Sequence, residues 1–118
     1  MGLILLIVAT VLKLAASPIF YLYGMVRAIQ KKEFNRWNLE LAIAKDQYGN
    51  GLAKYLFNDI LIKPNSRFKF GNIDETISSV IGKNKRNNTL TRTGLFLDFI
   101  LNVFENDHSI KSIDESIN

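Results

Sequence analysis

Few of the 118 residues are of a type that performs chemistry. His108 is the single histidine and there is no cysteine, so neither a multi-ligand metal set nor a Ser-His-acid arrangement can be assembled by spacing. Asp74 and Glu75 could be read as a carboxylate pair for acid-base or metal work. Their place in the first turn of an expected helix explains them more simply, through the helix dipole. Gly82-Lys83 lacks the preceding glycine of a phosphate-cradling loop, which argues against nucleotide hydrolysis. These absences lead us to expect a non-enzymatic chain with no catalytic residue, cofactor or metal. One constellation remains: Arg67, Lys69, Lys83, Lys85, Arg86 and Arg92, interleaved with Phe68 and Phe70. Charge beside aromatic rings can hold phosphates and stack bases, so these six cations are a candidate anion or nucleic-acid contact. The competing reading packs the phenylalanines inward.

The net charge of +4 conceals an asymmetry. Arg27 to Arg92 carries 13 basic and 6 acidic residues, whereas Thr93 to Asn118 carries 1 basic residue against 5 acidic. A basic middle and an acidic end can pair within one chain, pair between copies, or face different partners. Once the first apolar stretch and the basic segment behind it are set aside, 74 residues remain, Lys45 to Asn118. A core that small is marginal without disulfides, and partner, membrane or self-association is expected to supplement it.

The stretch from Gly2 to Val26, GLILLIVATVLKLAASPIFYLYGMV, holds one formal charge, Lys13. As a helix it spans roughly 37 Å, enough to cross a hydrocarbon core of about 30 Å. It fits a signal peptide poorly. No Lys or Arg precedes the apolar run, Lys13 interrupts it, and Leu14-Ala15-Ala16-Ser17 leads into Pro18 and a further aromatic block. Thr10, Lys13, Ser17, Tyr21 and Gly24 recur at steps of three or four, so they form one polar or small-residue stripe, a candidate helix-helix seam. The alternative is that Lys13 reaches a nearby interface along its own stem. Phe20, Tyr21 and Tyr23 supply an aromatic belt, and Arg27, Lys31, Lys32, Arg36 and Trp37 follow as candidate membrane-interface residues. The positive-inside rule predicts a single-pass protein with its N-terminus out and the bulk of the chain on the cytoplasmic or virion-interior side.

Glu33 to Ala44 keeps helical spacing, with Phe34, Trp37, Leu41 and Ala44 on one stripe. Gly49-Asn50-Gly51 is expected to interrupt it. The next helix has Leu52, Ala53, Leu56, Phe57, Ile60 and Leu61 on a broad face expected to be buried, and ends at Lys63-Pro64. Asn72 with Glu75 three positions on resembles a capping box, which predicts a helix starting there, with Ile73, Ile77, Val80 and Ile81 inside and Gly82 at its end. After the polar loop Lys83 to Asn88, a last helix capped at Thr89 or Thr91 should run to about Glu105. Its core face is Leu97, Ile100, Leu101 and Phe104, and Phe96, Phe99 and Val103 widen its apolar area beyond one contact.

The strings DQYGN, LFNDILI, FGNIDETISSVIGKNK, TLTRTG and HSIKSIDE resemble those of small uncharacterised single-pass membrane proteins encoded by phages and prophages. The resemblance covers about Asp46 to Glu115 and implies a viral setting. It implies no activity for any residue. The expectation is therefore an all-α chain: a transmembrane anchor over 1–28 continuing into a basic juxtamembrane helix over 29–45, a bundle of about three short helices over 46–106, and an acidic, mobile tail over 107–118. It should serve as a structural or interaction module of a virion or host membrane. The alternatives are a lysis or permeabilising protein that oligomerises through the seam, and a membrane-tethered nucleic-acid binder. The expected partners are the lipid bilayer, further copies of the chain, capsid or envelope proteins, and nucleic acid in the last of these readings.

Overall fold

The computed structural model describes residues 1–104 and 108–116. All named elements are helices: α1 (Gly2–Gln30), α2 (Phe34–Leu52), α3 (Lys54–Ile60), α4 (Ile77–Arg86), α5 (Arg92–Phe104) and α6 (His108–Lys111). The chain divides into two compact units, Met1–Glu40 and Leu41–Asn118, with the boundary inside α2.

In the first unit α1 runs unbroken through Pro18 and is closed by a paired C-terminal motif. Lys32 takes a left-handed conformation (φ 57°). Its N–H donates to the Ile29 carbonyl (3.1 Å), and that of Glu33 reaches back to Ala28 (2.8 Å). This is a Schellman arrangement with a lysine where glycine is usual. The juxtamembrane segment is therefore a separate helix, and α1 does not run on into it. The start of α2 lies against the end of α1, with Trp37 stacked on Tyr21 at 5.1 Å between ring centroids and the Tyr21 hydroxyl donating to Asn38 Oδ1 (2.8 Å).

In the second unit α2 does not stop at Gly49-Asn50-Gly51. It continues to Leu52 because the small residues serve close approach there: a Cβ on Gly51 would lie 2.6 Å from Ile73. The last turns of α2 latch the segment that follows Phe70. Asn50, fully buried, donates from Nδ2 to the Asn72 and Glu75 carbonyls (3.0 and 2.8 Å) and accepts from the Gly71 N–H (2.9 Å). Asp46 accepts the Ile77 N–H at the start of α4 (2.9 Å).

The capping box expected at Asn72 is not formed. Asn72 accepts from the Asp74 N–H (2.9 Å), a local turn that competes with helix. Thr76 is the cap, accepting from the Ser79 N–H (3.1 Å). Ile73, expected inside, is 64% exposed. Nor does Gly82 end α4. The helix runs to Arg86 and closes in a second Schellman motif with Asn88 left-handed, its N–H bonded to Lys85 and that of Thr89 to Asn84.

Leu61, Ile62, Phe70, Val80, Ile81 and Leu90 form the apolar core, with Phe57, Ile77, Leu97 and Leu101 packed against it. Of the broad face expected to be buried after Gly51, Leu52 at the end of α2 and Leu56 and Ile60 on α3 are exposed. A two-bond bridge joins the segments after α3 and before α5, Lys63 N–H to Thr89 and Thr91 N–H to Leu61 (2.8 and 2.9 Å). The stretch expected as a mobile tail instead carries α6, which packs on α4. A Cβ at Gly82 would fall 2.1 Å from the Ser109 carbonyl oxygen, so glycine at this site lets the two backbones touch.

Candidate interaction surfaces

α1 is long and apolar enough to cross a membrane, and its most apolar stretch is not buried. Of the seam residues, Thr10 donates back to the Leu6 carbonyl (2.8 Å), which satisfies its hydroxyl within the helix. Tyr21 and Gly24 lie under Trp37, and a Cβ on Gly24 would meet that ring at 2.6 Å. The lower end of the expected seam is thus already occupied by α2 of the same unit. Lys13 and Ser17 lie on the exposed part of α1.

The interface residues cluster at the corner. Arg27, Lys31, Arg36 and Trp37 line a shallow groove of about 210 Å³ with Gly24, Ala28, Glu33 and Glu40. One of its cations is countered within the groove, Arg36 pairing with Glu33 at 2.9 Å and approaching Glu40 at 3.9 Å, while Arg27 donates a hydrogen bond to the uncharged Gln30 (3.0 Å). Lys32 holds the turn itself.

The six-cation anion contact is not assembled. Lys83 is buried, its side chain 1% exposed, and ion-paired with Glu75 at 2.6 Å. Lys85 pairs with the buried Asp98 at 2.9 Å, and Arg86 with Glu115 at 2.5 Å. The basic middle and the acidic end pair within one chain, the first of the options the charge asymmetry left open. Arg67, Lys69 and Arg92 remain at the surface. Phe70 is 2% exposed and meets Phe57 edge to face at 5.3 Å, so it cannot stack a base. Phe68 is half-buried, beneath Arg67 on one contact and Lys83 on another.

What the sequence reading missed is the polar interior built on α4. Glu75 accepts from Ser79 Oγ (2.5 Å) as well as from Lys83, and Ser79 Oγ accepts the Asp114 N–H (2.8 Å). Asn84 donates to the Phe68 and Val80 carbonyls (both 2.9 Å) and accepts from Ser66 and from Thr89 Oγ1 (2.6 Å). Asp98 accepts from Ser109. No buried side-chain polar atom among the described residues lacks a partner.

A signal was present, since Glu75, Ser79 and Lys83 recur at four-residue steps and Lys83 falls three after Val80, on the inward face. Chemically the cluster is closed. The Ser79 hydroxyl donates to a carboxylate already neutralised by lysine, and Ser79 is 0% exposed, so no reactant reaches it. Glu115 is held below its ordinary carboxyl value by the hydrogen bond from Arg86, and Asp114 below its own by the hydroxyl and backbone N–H of Ser116.

No three His, Cys, Asp or Glu side chains among the described residues are grouped to hold a metal ion. Comparison with family models, with curated proteins and with solved structures gives no match, so the functional reading stands on sequence and geometry.

Proposed function

We propose that the chain is a non-enzymatic, phage-encoded membrane protein, anchored once by α1, whose second unit serves as a structural or interaction module at the inner face of a virion or host membrane. The observation that carries it is the bare apolar surface of α1: along this helix Leu3, Leu12, Leu14, Ile19 and Phe20 are 62 to 71% exposed, an arrangement that water penalises and lipid does not. Arg27, Lys31, Lys32 and Arg36 at the end of that helix favour retention of the second unit on the cytoplasmic or interior side. The viral setting rests on the resemblance of the strings between Asp46 and Glu115.

The permeabilising alternative needs the seam of α1 to face other copies, and Trp37 already covers Tyr21 and Gly24. The nucleic-acid alternative loses Lys83, Lys85 and Arg86 to internal pairs. Alkaline carbonate extraction of membranes from cells expressing the full chain tests the anchor, with protease added outside intact cells to test sidedness. Retention in the pellet with a protected second unit is expected. Release by carbonate removes the anchor, and digestion from outside reverses the orientation. Vesicle leakage caused by the full chain and abolished by Lys13→Leu would instead support the permeabilising reading.

A further inference from the structure

Helix α5 is apolar on two sides. Leu97 and Leu101 pack on the core, while Leu95, Phe96, Phe99 and Val103 point outward, 51, 63, 66 and 68% exposed. At spacings of one, four and eight these form one stripe. Between Arg92 and Phe104 the one charged residue, Asp98, is turned inward to Lys85 and Ser109, so the stripe is uncharged from Leu95 to Val103, with the exposed Arg92 at its start. Its first turn is stitched to the end of α3: Thr91 Oγ1 donates to the Ile60 carbonyl (2.5 Å), and a Cβ on Gly94 would lie 2.2 Å from the Leu61 carbonyl oxygen. The end of α3 adds the exposed Leu56 and Ile60. Together these side chains leave roughly 600 to 700 Å² of apolar surface bare, at or above the largest patch of a typical soluble monomer.

We propose that this face is the contact between two copies of the chain, α5 against α5 about a two-fold axis. The inference deepens the reading above, resting on it for the anchorage that concentrates the copies. Three observations select a second copy. A helix that lies on lipid is rich in Lys and Arg beside its apolar face, whereas α5 has one such residue, Arg92 at its first position, and the chain from Thr93 onward has 5 acidic residues against 1 basic, which anionic lipid repels. A two-fold contact sets the middle of a stripe against itself, so a charge there would meet its own kind; from Leu95 to Val103 this stripe has none. Doubling the bare area gives about 1,200 to 1,400 Å², inside the range of stable interfaces, with Phe96 and Phe99 as aromatic anchors of the kind that dominate such contacts.

The native chain has no cysteine, so single cysteines report contacts directly. In the purified full chain reconstituted in phospholipid vesicles, Phe99→Cys should form an interchain disulfide on mild oxidation and Asn65→Cys, exposed elsewhere on the unit, should not. Adding Phe96→Glu to Phe99→Cys should lower the linked fraction about tenfold or more, with Phe96→Ser as the gentler variant if circular dichroism shows the first to be unfolded. Equal linking at both positions, no linking at Phe99→Cys, or linking indifferent to position 96 overturns the proposal. Quenching of a probe on Phe99→Cys by lipid-borne quenchers also overturns it, by assigning the face to the bilayer. Should carbonate strip the protein from vesicles while the Phe99→Cys link still forms, the anchor reading fails and the α5 contact stands.

Discussion

Helices α1 and α4 invert the usual relation between side chain and surroundings in opposite senses. Along α1 the large apolar residues are outside; along α4 Ser78, Ser79, Lys83 and Asn84 are inside. The difference is one of compensation. Within the first unit Trp37 covers Tyr21 and Gly24, and the proposed lipid would cover the exposed apolar side chains of α1 from outside. On α4 every buried polar side-chain atom has a partner in the fold, so the second unit needs no outside help to hide them. Hydropathy predicts location well when the solvent is known and poorly when polar groups satisfy one another.

The largest effect should come from breaking that compensation. Lys83→Met leaves the Glu75 carboxylate buried with Ser79 as its remaining side-chain partner, at a cost of about 3 to 5 kcal/mol, comparable to the whole stability of a small domain. Urea titration of the solubilised full chain should lose the cooperative transition of the second unit. Combining Lys83→Met with Glu75→Gln should restore most of it, since an uncharged pair leaves no buried charge without its counterion. A single variant as stable as the parent would mean the inversion on α4 is only apparent.

Next in size is Gly82→Ala, which forces the Ser109 carbonyl away. Overpacking of this kind costs about 1 to 3 kcal/mol, and amide exchange should show residues 108–116 losing protection ahead of α4 itself. Smaller still, and of opposite sign, Lys32→Gly should stabilise the corner of the first unit by about 1 kcal/mol, because glycine adopts the left-handed backbone without the Cβ penalty. A raised melting temperature of the first unit would show it.

Acid sharpens the comparison most gently. Because Glu115 titrates lower in the folded chain than its ordinary 4.5, its contribution is complete above that value and disappears as pH falls through the lowered one. Asp114 behaves the same way from its ordinary 3.8. Protection of residues 108–116 should therefore hold from pH 7 down to about 4.5 and decline below it, with no matching change in α1.

Much of the architecture was legible because periodicity and turn chemistry coincide with it. The α1 run and the start of α5 near Thr91 follow from spacing and capping, whereas α3 ends at Ile60, ahead of the stop expected at Lys63-Pro64. The misreadings share a cause. Asn72 and Glu75 have the residue types of a capping box, yet each is claimed by a different partner, Asp74 locally and Lys83 across the interior. Gly49 and Gly51 have the type of a helix break, yet serve the approach of Ile73 and Ile77. Residue type states what a position is able to do, and long-range contacts decide which ability is used. The six-cation set was misread for the same reason, since the residues that take Lys85 and Arg86 lie 13 and 29 positions further on. The side chains of His108, singled out by type, and of Phe104, expected on the core face, and the whole of Glu105, the expected end of the last helix, lie outside the described residues.

Ser109 and Asp114 close the polar face of α4 from the far end of the chain. Synthesis runs from the N-terminal side, so these two residues leave the ribosome after Lys83 and Glu75. During that interval the lysine and glutamate are wet and the second unit is unfinished. A messenger cut short beyond Phe104 would therefore yield a second unit whose α4 polar face stays open to water.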